Sequence, residues 1–321
     1  MVVIISGLRG RMCLRAADDP EGGGQALKTR RMIELARWVA LCVPVLLLAA
    51  CGLAEAPVLD PKGPVAMAER DLLFETLAIM MIVAVPVFIM AFVFAWRFRA
   101  NGGKGRYDPS WSSSLGIEVV IWAVPAAIIV VLGGYVWVNA HKLDPFKQID
   151  PDVEPLVVEV VAQDWKWLFL YPDHDIATVN ELVFPAGMPL TLNITSDTVM
   201  NAFFVPALGS QIYAMAGMET HLNLLADEAG QFVGRNSQYS GDGFSQQSFV
   251  VRAVSQADFD AWVETVRGAG ETLDEATYET LRAPSIAHPV VHYDGFEDGL
   301  FDRIIMRYMS PEGHDHSATT N

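Results

Sequence analysis

All three cysteines, Cys13, Cys42 and Cys51, fall within the first 51 of 321 residues. The remaining 270 or so positions can form no internal disulfide and no thiolate-ligated metal cluster. Positive charge is also scarce: 22 Lys+Arg stand against 38 Asp+Glu, a formal net charge of -16, and no Lys/Arg-rich stripe with interleaved aromatics occurs. A nucleic-acid binder, which must neutralise phosphate, is excluded. His174, His221, His288 and His292 are scattered without ligand spacing, and His314 and His316 flank Asp315 in a polar tail. They form no recognisable imidazole site. A Gly-rich phosphate loop, a nucleophile elbow and a paired-carboxylate site are missing too.

What is present is divided between two kinds of chain. Residues 76–96 and 119–140 carry no charge, and at about 1.5 Å per residue each exceeds the roughly 30 Å apolar layer of a bilayer. They predict two transmembrane helices, placed at residues 72–97 and 114–140. Trp96, Trp111 and Trp137 suit interfacial belts, and Pro86 and Pro125 predict mid-span kinks. The linking segment 98–113 and its flank hold Arg97, Arg99, Lys104 and Arg106 against Asp108 alone, which places this loop in the cytoplasm by the positive-inside rule. Both flanking parts then lie outside. Residues 141–321 contain 9 basic and 27 acidic side chains, as a solvated external domain would.

Ahead of the first span, a 13-residue apolar run after Trp38 ends at Cys51. It is too short to span a bilayer comfortably and matches a signal-peptide core. Leu48-Ala49-Ala50-Cys51 resembles a bacterial lipobox, which makes residues 32–50 a lipoprotein signal and Cys51 the lipidated N-terminus, followed by an external segment at 51–71. Residues 1–31, with Asp18, Asp19, Glu21 and three successive glycines, do not resemble an n-region. Translation is expected to start at Met32.

From Pro155 the apolar period becomes two. Runs at residues 156–162, 165–171, 189–195, 202–205, 221–226 and 248–254 are separated by Gly, Pro, Asp or Asn, a spacing that predicts an antiparallel β-sandwich or barrel over 141–254. Ser255, with Asp258 three residues on, predicts a helix whose inner face is Phe259, Trp262, Val263 and Val266. Residues 274–281 predict a second short helix within an aromatic-rich region, 255–308, before a mobile tail at 309–321.

Two membrane helices followed by an external β-sandwich resemble subunit II of the haem-copper respiratory oxidases, whose extrinsic domain is cupredoxin-like. In the cytochrome c oxidase branch a dinuclear copper centre is held by Cys-x3-Cys-x3-His-x2-Met and a histidine upstream of a Val-Pro. Soft thiolate, imidazole and thioether donors suit copper. Here the two cysteine positions are Asn236 and Ser240, the histidine position Phe244, the methionine position Gln247, and the upstream histidine position Asn201. None can ligate copper in that way.

The segments at 164–172 (Asp-Trp-Lys-Trp-Leu-Phe-Leu-Tyr-Pro), 199–206, 208–218 and 239–245, with the lipobox and the aromatic-rich C-terminal region, resemble subunit II of cytochrome bo-type ubiquinol oxidases. That resemblance implies a subunit with no metal and no catalytic residue of its own. It implies haems and copper in a partner subunit I, a subunit III and small membrane subunits as neighbours, ubiquinol as the substrate of the complex, and proton pumping coupled to reduction of oxygen to water. The location implied is the bacterial inner membrane, multi-pass and lipid-anchored, with the C-terminal domain in the periplasm.

Glu118 is the only ionisable group at the start of the second hydrophobic segment, where a carboxylate is costly unless it is paired or used. The resemblance matches it to the mouth of a proton channel serving subunit I. Trp165 and Trp167 are expected to pack in the sandwich or against subunit I, and Met200, Met215 and Met218, which lie among apolar residues, to pack in the core or at an interface. Two rivals stay open at this point: a cytochrome c oxidase subunit with a true copper centre, and a cupredoxin-like binding lipoprotein that acts alone.

Overall fold

The computed structural model describes residues 56–99, 109–110 and 112–309. Cys51, the signal segment, residues 1–31, most of the loop between the membrane helices and the tail from 310 lie outside the described residues. Helix α1 (Pro64–Arg97) starts ahead of the uncharged run, with Pro64 in its first turn, where a missing N–H costs nothing. Gly63 precedes it because a Cβ there would sit 2.1 Å from the Leu225 carbonyl oxygen. Helix α2 (Leu115–Lys142) has Pro125 inside it as α1 has Pro86. Both helices are long and apolar enough to cross a membrane, and their large side chains face outward, Phe92 being 75% and Trp122 77% exposed. A soluble protein would bury such a surface.

The sandwich packs a six-stranded sheet in the order β11-β3-β2-β1-β5-β8 over a five-stranded sheet in the order β4-β10-β9-β6-β7. The first contains β1 (Leu156–Gln163), β2 (Lys166–Tyr171), β3 (Ile176–Val179), β5 (Leu190–Ser196), β8 (Thr220–Leu224) and β11 (Val291–Tyr293). The second contains β4 (Glu181–Pro185), β6 (Asn201–Phe204), β7 (Ile212–Ala214), β9 (Gly230–Asn236) and β10 (Ser248–Val254). The expected all-antiparallel pairing is corrected in two places: β1 runs parallel to β5, with Leu156 opposite Leu190, and β10 runs parallel to β4, with Val250 opposite Glu181. Each pairing lies within one sheet and joins strands that are not consecutive along the chain, and strand alternation alone carries no direction. Trp165, expected to open a strand, has φ +64° and instead turns the chain between β1 and β2.

Between the layers, Trp167, Phe169, Phe203 and Phe249 form one aromatic cluster, with ring centroids 5.0 to 6.5 Å apart. Truncating one such ring to alanine costs about 3–5 kcal/mol in a core of this kind. Helix α3 (Gln256–Arg267) is capped by Ser255, whose Oγ accepts from the Asp258 N–H at 3.2 Å, and it buries Phe259, Trp262, Val263 and Val266. Helices α4 (Glu275–Leu281) and α5 (Leu300–Met309) close a second apolar cluster on the outer face of the six-stranded sheet, around Val161, Leu168, Tyr278 and Ile304.

Candidate functional site

The five positions that the resemblance matches to copper ligands come from strand ends and loops at one end of the sandwich. Asn201 opens β6, Asn236 closes β9, Ser240 comes next in the loop, Phe244 begins a short 3-10 turn, and Gln247 precedes β10. Four of them meet. The Asn236 amide nitrogen lies 2.6 Å from Asn201 Oδ1, 2.8 Å from Gln247 Oε1 and 3.1 Å from Ser240 Oγ, and the Ser240 hydroxyl donates to Gln247 Oε1 at 3.0 Å. Asn236 Oδ1 accepts from the backbone N–H groups of Ala202 and Gln238 at 2.8 and 3.0 Å. Asn201 Nδ2 donates to the Val199 carbonyl at 2.8 Å, and Gln247 Nε2 to the Gln163 carbonyl at 3.3 Å. Asn201, Asn236 and Gln247 are buried, and buried amides are tolerable only when hydrogen-bonded in this way.

Phe244 stands apart, its ring 5.7 Å from that of Tyr239. The loop is held from the other side by Trp165, whose indole N–H donates to the Ser240 carbonyl at 3.1 Å. Gly243 must be glycine, since a Cβ would sit 2.3 Å from the Trp165 ring. Trp167 lies in the aromatic core, whereas Trp165 braces the loop.

A dinuclear copper centre does not fit these residues. Amide, hydroxyl and phenyl groups replace thiolate, imidazole and thioether, and the polar atoms that converge here already satisfy one another. Among the described residues no group of three or more His, Cys, Asp or Glu gathers to hold a metal ion.

Sequence reasoning missed a second polar cluster, just across the β5–β6 connection. The carboxylate of Asp197, fully buried, accepts from Tyr278 Oη at 2.6 Å, Arg282 Nε at 2.7 Å and Tyr308 Oη at 2.9 Å, with Arg307 Nη1 at 3.5 Å. Glu279 closes the ring of charge through Arg282 at 2.7 Å and Arg307 at 2.6 Å. Burial, and then the Asp197 charge, push the Tyr278 hydroxyl far above its ordinary pKa and that of Tyr308 up to about 12. Lys166 is buried nearby; its Nζ donates to the Ala283 carbonyl and Ser285 Oγ at 2.8 and 2.9 Å, and desolvation lowers its pKa. These contacts bind the C-terminal region to the sandwich. No local signal announces them, because Asp197 and Tyr278 are 81 residues apart.

Family models match the chain at residues 173–254, as cytochrome c oxidase subunit II, periplasmic domain, and at residues 267–312, as the COX aromatic rich motif. A ubiquinol oxidase subunit 2 of Acetobacter aceti is 46% identical over 284 residues, covering 88% of this chain and 91% of its own. A cytochrome bo(3) ubiquinol oxidase subunit 2 of Pseudomonas putida is 46% identical over 264 residues, covering 82% and 83%. The chain belongs to the ubiquinol oxidase subunit 2 family. A solved periplasmic domain of cytochrome oxidase subunit II from Bradyrhizobium japonicum is also similar, at 25% identity and a TM-score of 0.34, covering 38% of this chain and 95% of its own. As a member of the ubiquinol oxidase subunit 2 family, the chain is a membrane subunit with a periplasmic domain.

Glu118, the expected proton-uptake residue, lies far from these clusters in sequence and structure. It sits in the first turn of α2, exposed, with its N–H on the Ser114 carbonyl at 2.9 Å, one turn before Trp122. The turn gives the carboxylate a favourable place, since free N–H groups at a helix N-terminus attract negative charge.

Proposed function

We propose that this chain is the copper-free subunit II of a terminal oxidase that oxidises ubiquinol, reduces oxygen to water and pumps protons. The observation that carries this reading is the former ligand set: Asn201, Asn236, Ser240 and Gln247 hold one another by hydrogen bonds where a copper centre would need thiolate and imidazole. With no metal to pass an electron, the chain has no use for a soluble donor. Quinol reaches the redox centres through the lipid, and the haems and copper belong to subunit I.

The chain's own work is then structural and electrostatic. The outward apolar faces of α1 and α2 pack against subunit I, with subunit III and smaller membrane subunits beyond, in the bacterial inner membrane. The exposed apolar side chains of Val199, Met200, Met218 and Tyr239 seat the periplasmic domain on the same partner. Cys51, after signal cleavage, carries the lipid anchor.

Glu118 gathers protons at the cytoplasmic mouth of a channel in subunit I. Glu118→Ala is expected to slow steady-state oxygen consumption by the whole complex about tenfold or more, the scale of a lost proton-transfer group; unchanged turnover removes Glu118 from the path. The donor test is equally direct. The purified complex should consume oxygen with ubiquinol and not with reduced cytochrome c, and the reverse preference overturns the reading.

A further inference from the structure

At the periplasmic ends of the two membrane helices lies a cleft of about 750 Å³. One stripe of α1, with Asp71, Leu72 and Glu75, faces a stripe of α2 that includes Gly134, Tyr135 and Lys142. On a helix those α1 positions share one side, since residues three and four apart are neighbours. The floor is apolar and the rim is charged. A Cβ at Gly134 would meet nothing within 4 Å, so α2 leaves the space open.

The charges at the rim are unusual for their place. Glu75 is the last charge before the uncharged run of α1, and Lys142 ends α2. Neither has an ion-pair or hydrogen-bond partner among the described residues, and Asp71 touches only its neighbour Arg70, at 3.0 Å. A lysine at the end of a membrane helix is readily explained by lipid phosphate. Two carboxylates on the facing helix are not, because they repel phosphate.

We propose that this cleft is a binding site for a phospholipid whose headgroup carries a primary ammonium, such as phosphatidylethanolamine. The ammonium lies against Asp71 and Glu75, the phosphate against Lys142, and an acyl chain runs down the groove past Leu72. Charge selects this occupant. A headgroup with phosphate alone would meet Lys142 but face Glu75, which has no partner among the described residues, and Asp71, which is paired only with its neighbour Arg70; a zwitterion matches both signs. A headgroup with a quaternary ammonium has the charge but no N–H to donate, and so binds more weakly.

The test uses the complex purified in mild detergent through a tag on this chain, with whatever subunits it carries. After delipidation it is incubated separately with phosphatidylethanolamine, phosphatidylcholine and phosphatidylglycerol of the same acyl chains, and native mass spectrometry reads the lipid adduct on this subunit. The wild type should retain the ethanolamine lipid about fivefold over the glycerol lipid, an advantage of about 1 kcal/mol, with the choline lipid between them. Asp71→Asn with Glu75→Gln should abolish that preference, and Gly134→Leu, which fills the space without touching the charges, should reduce all three adducts. Equal retention of the three lipids by the wild type, or an unchanged ethanolamine preference in the double variant, overturns the proposal. Because the adduct is read by mass and not by turnover, a wrong assignment of the oxidase activity would leave this result intact.

Discussion

Two polar networks flank the β5–β6 connection and are built from opposite chemistry. The Asn236 network is neutral and uses amides and a hydroxyl that satisfy one another; the Asp197 network is ionic and draws in two arginines, two tyrosines and Glu279. Neutral hydrogen bonds contribute roughly 0.5–1.5 kcal/mol each, while a buried carboxylate is tolerable only with its full set of partners. The first fills positions that the resemblance matches to copper ligands with groups that hold one another and need no metal. The partners of the second show what it does: Tyr278, Arg282, Arg307 and Tyr308 all come from the C-terminal region, so Asp197 is where that region is fastened.

The contrast fixes the order of expected effects. Asp197→Ala should be the most damaging, at about 3–5 kcal/mol, because it leaves arginines and tyrosines partly buried without their acceptor; denaturant unfolding of the complex, with limited proteolysis of the C-terminal region, measures it. Asn236→Ala should cost less, about 1–3 kcal/mol for the orphaned Ala202 N–H and the side chains of Asn201 and Gln247, and should leave ubiquinol oxidation unchanged. Loss of turnover in Asn236→Ala at full assembly would mean that the neutral network has a redox or substrate role after all.

The smallest effect is one of pH. Tyr308 keeps its proton up to about 12 in the folded protein and Tyr278 holds its own more tightly still, whereas an unfolded tyrosine loses it near pH 10. Both folded pKa values are raised, so their contribution is fully present below pH 10 and falls as pH climbs from there through 12. Stability measured across that window should decline, and the decline should be shallower in Tyr278→Phe with Tyr308→Phe. An identical slope in the variant would detach the tyrosines from the ionic network.

Much of this architecture was legible in the sequence, and the illegible parts have physical reasons. The membrane helices announce themselves by length without charge, and β1 and β10 by alternation, with Val158 and Val160 inward and Glu159 between them. Strand β3 (Ile176–Val179) is buried at every position and so has no alternation to read, and β7 is only three residues long. The five positions matched to copper ligands came from the resemblance, residue by residue. Their convergence into a self-satisfied network could not be read in advance, because Asn201 and Asn236 meet only when β6 pairs with β9. The Asp197 fastening depends in the same way on helices α4 and α5 folding back over the sheet.

The most direct measurement is purification of the full-length chain from native membranes, with haem and copper analysis of the complex and of this subunit after separation. The account predicts co-purification with a haem-bearing, many-helix subunit, ubiquinol oxidase activity in the whole, and neither copper nor thiolate-to-copper absorption in the separated chain. A chain that purifies alone without haem, or a separated chain that carries two copper ions, would contradict it.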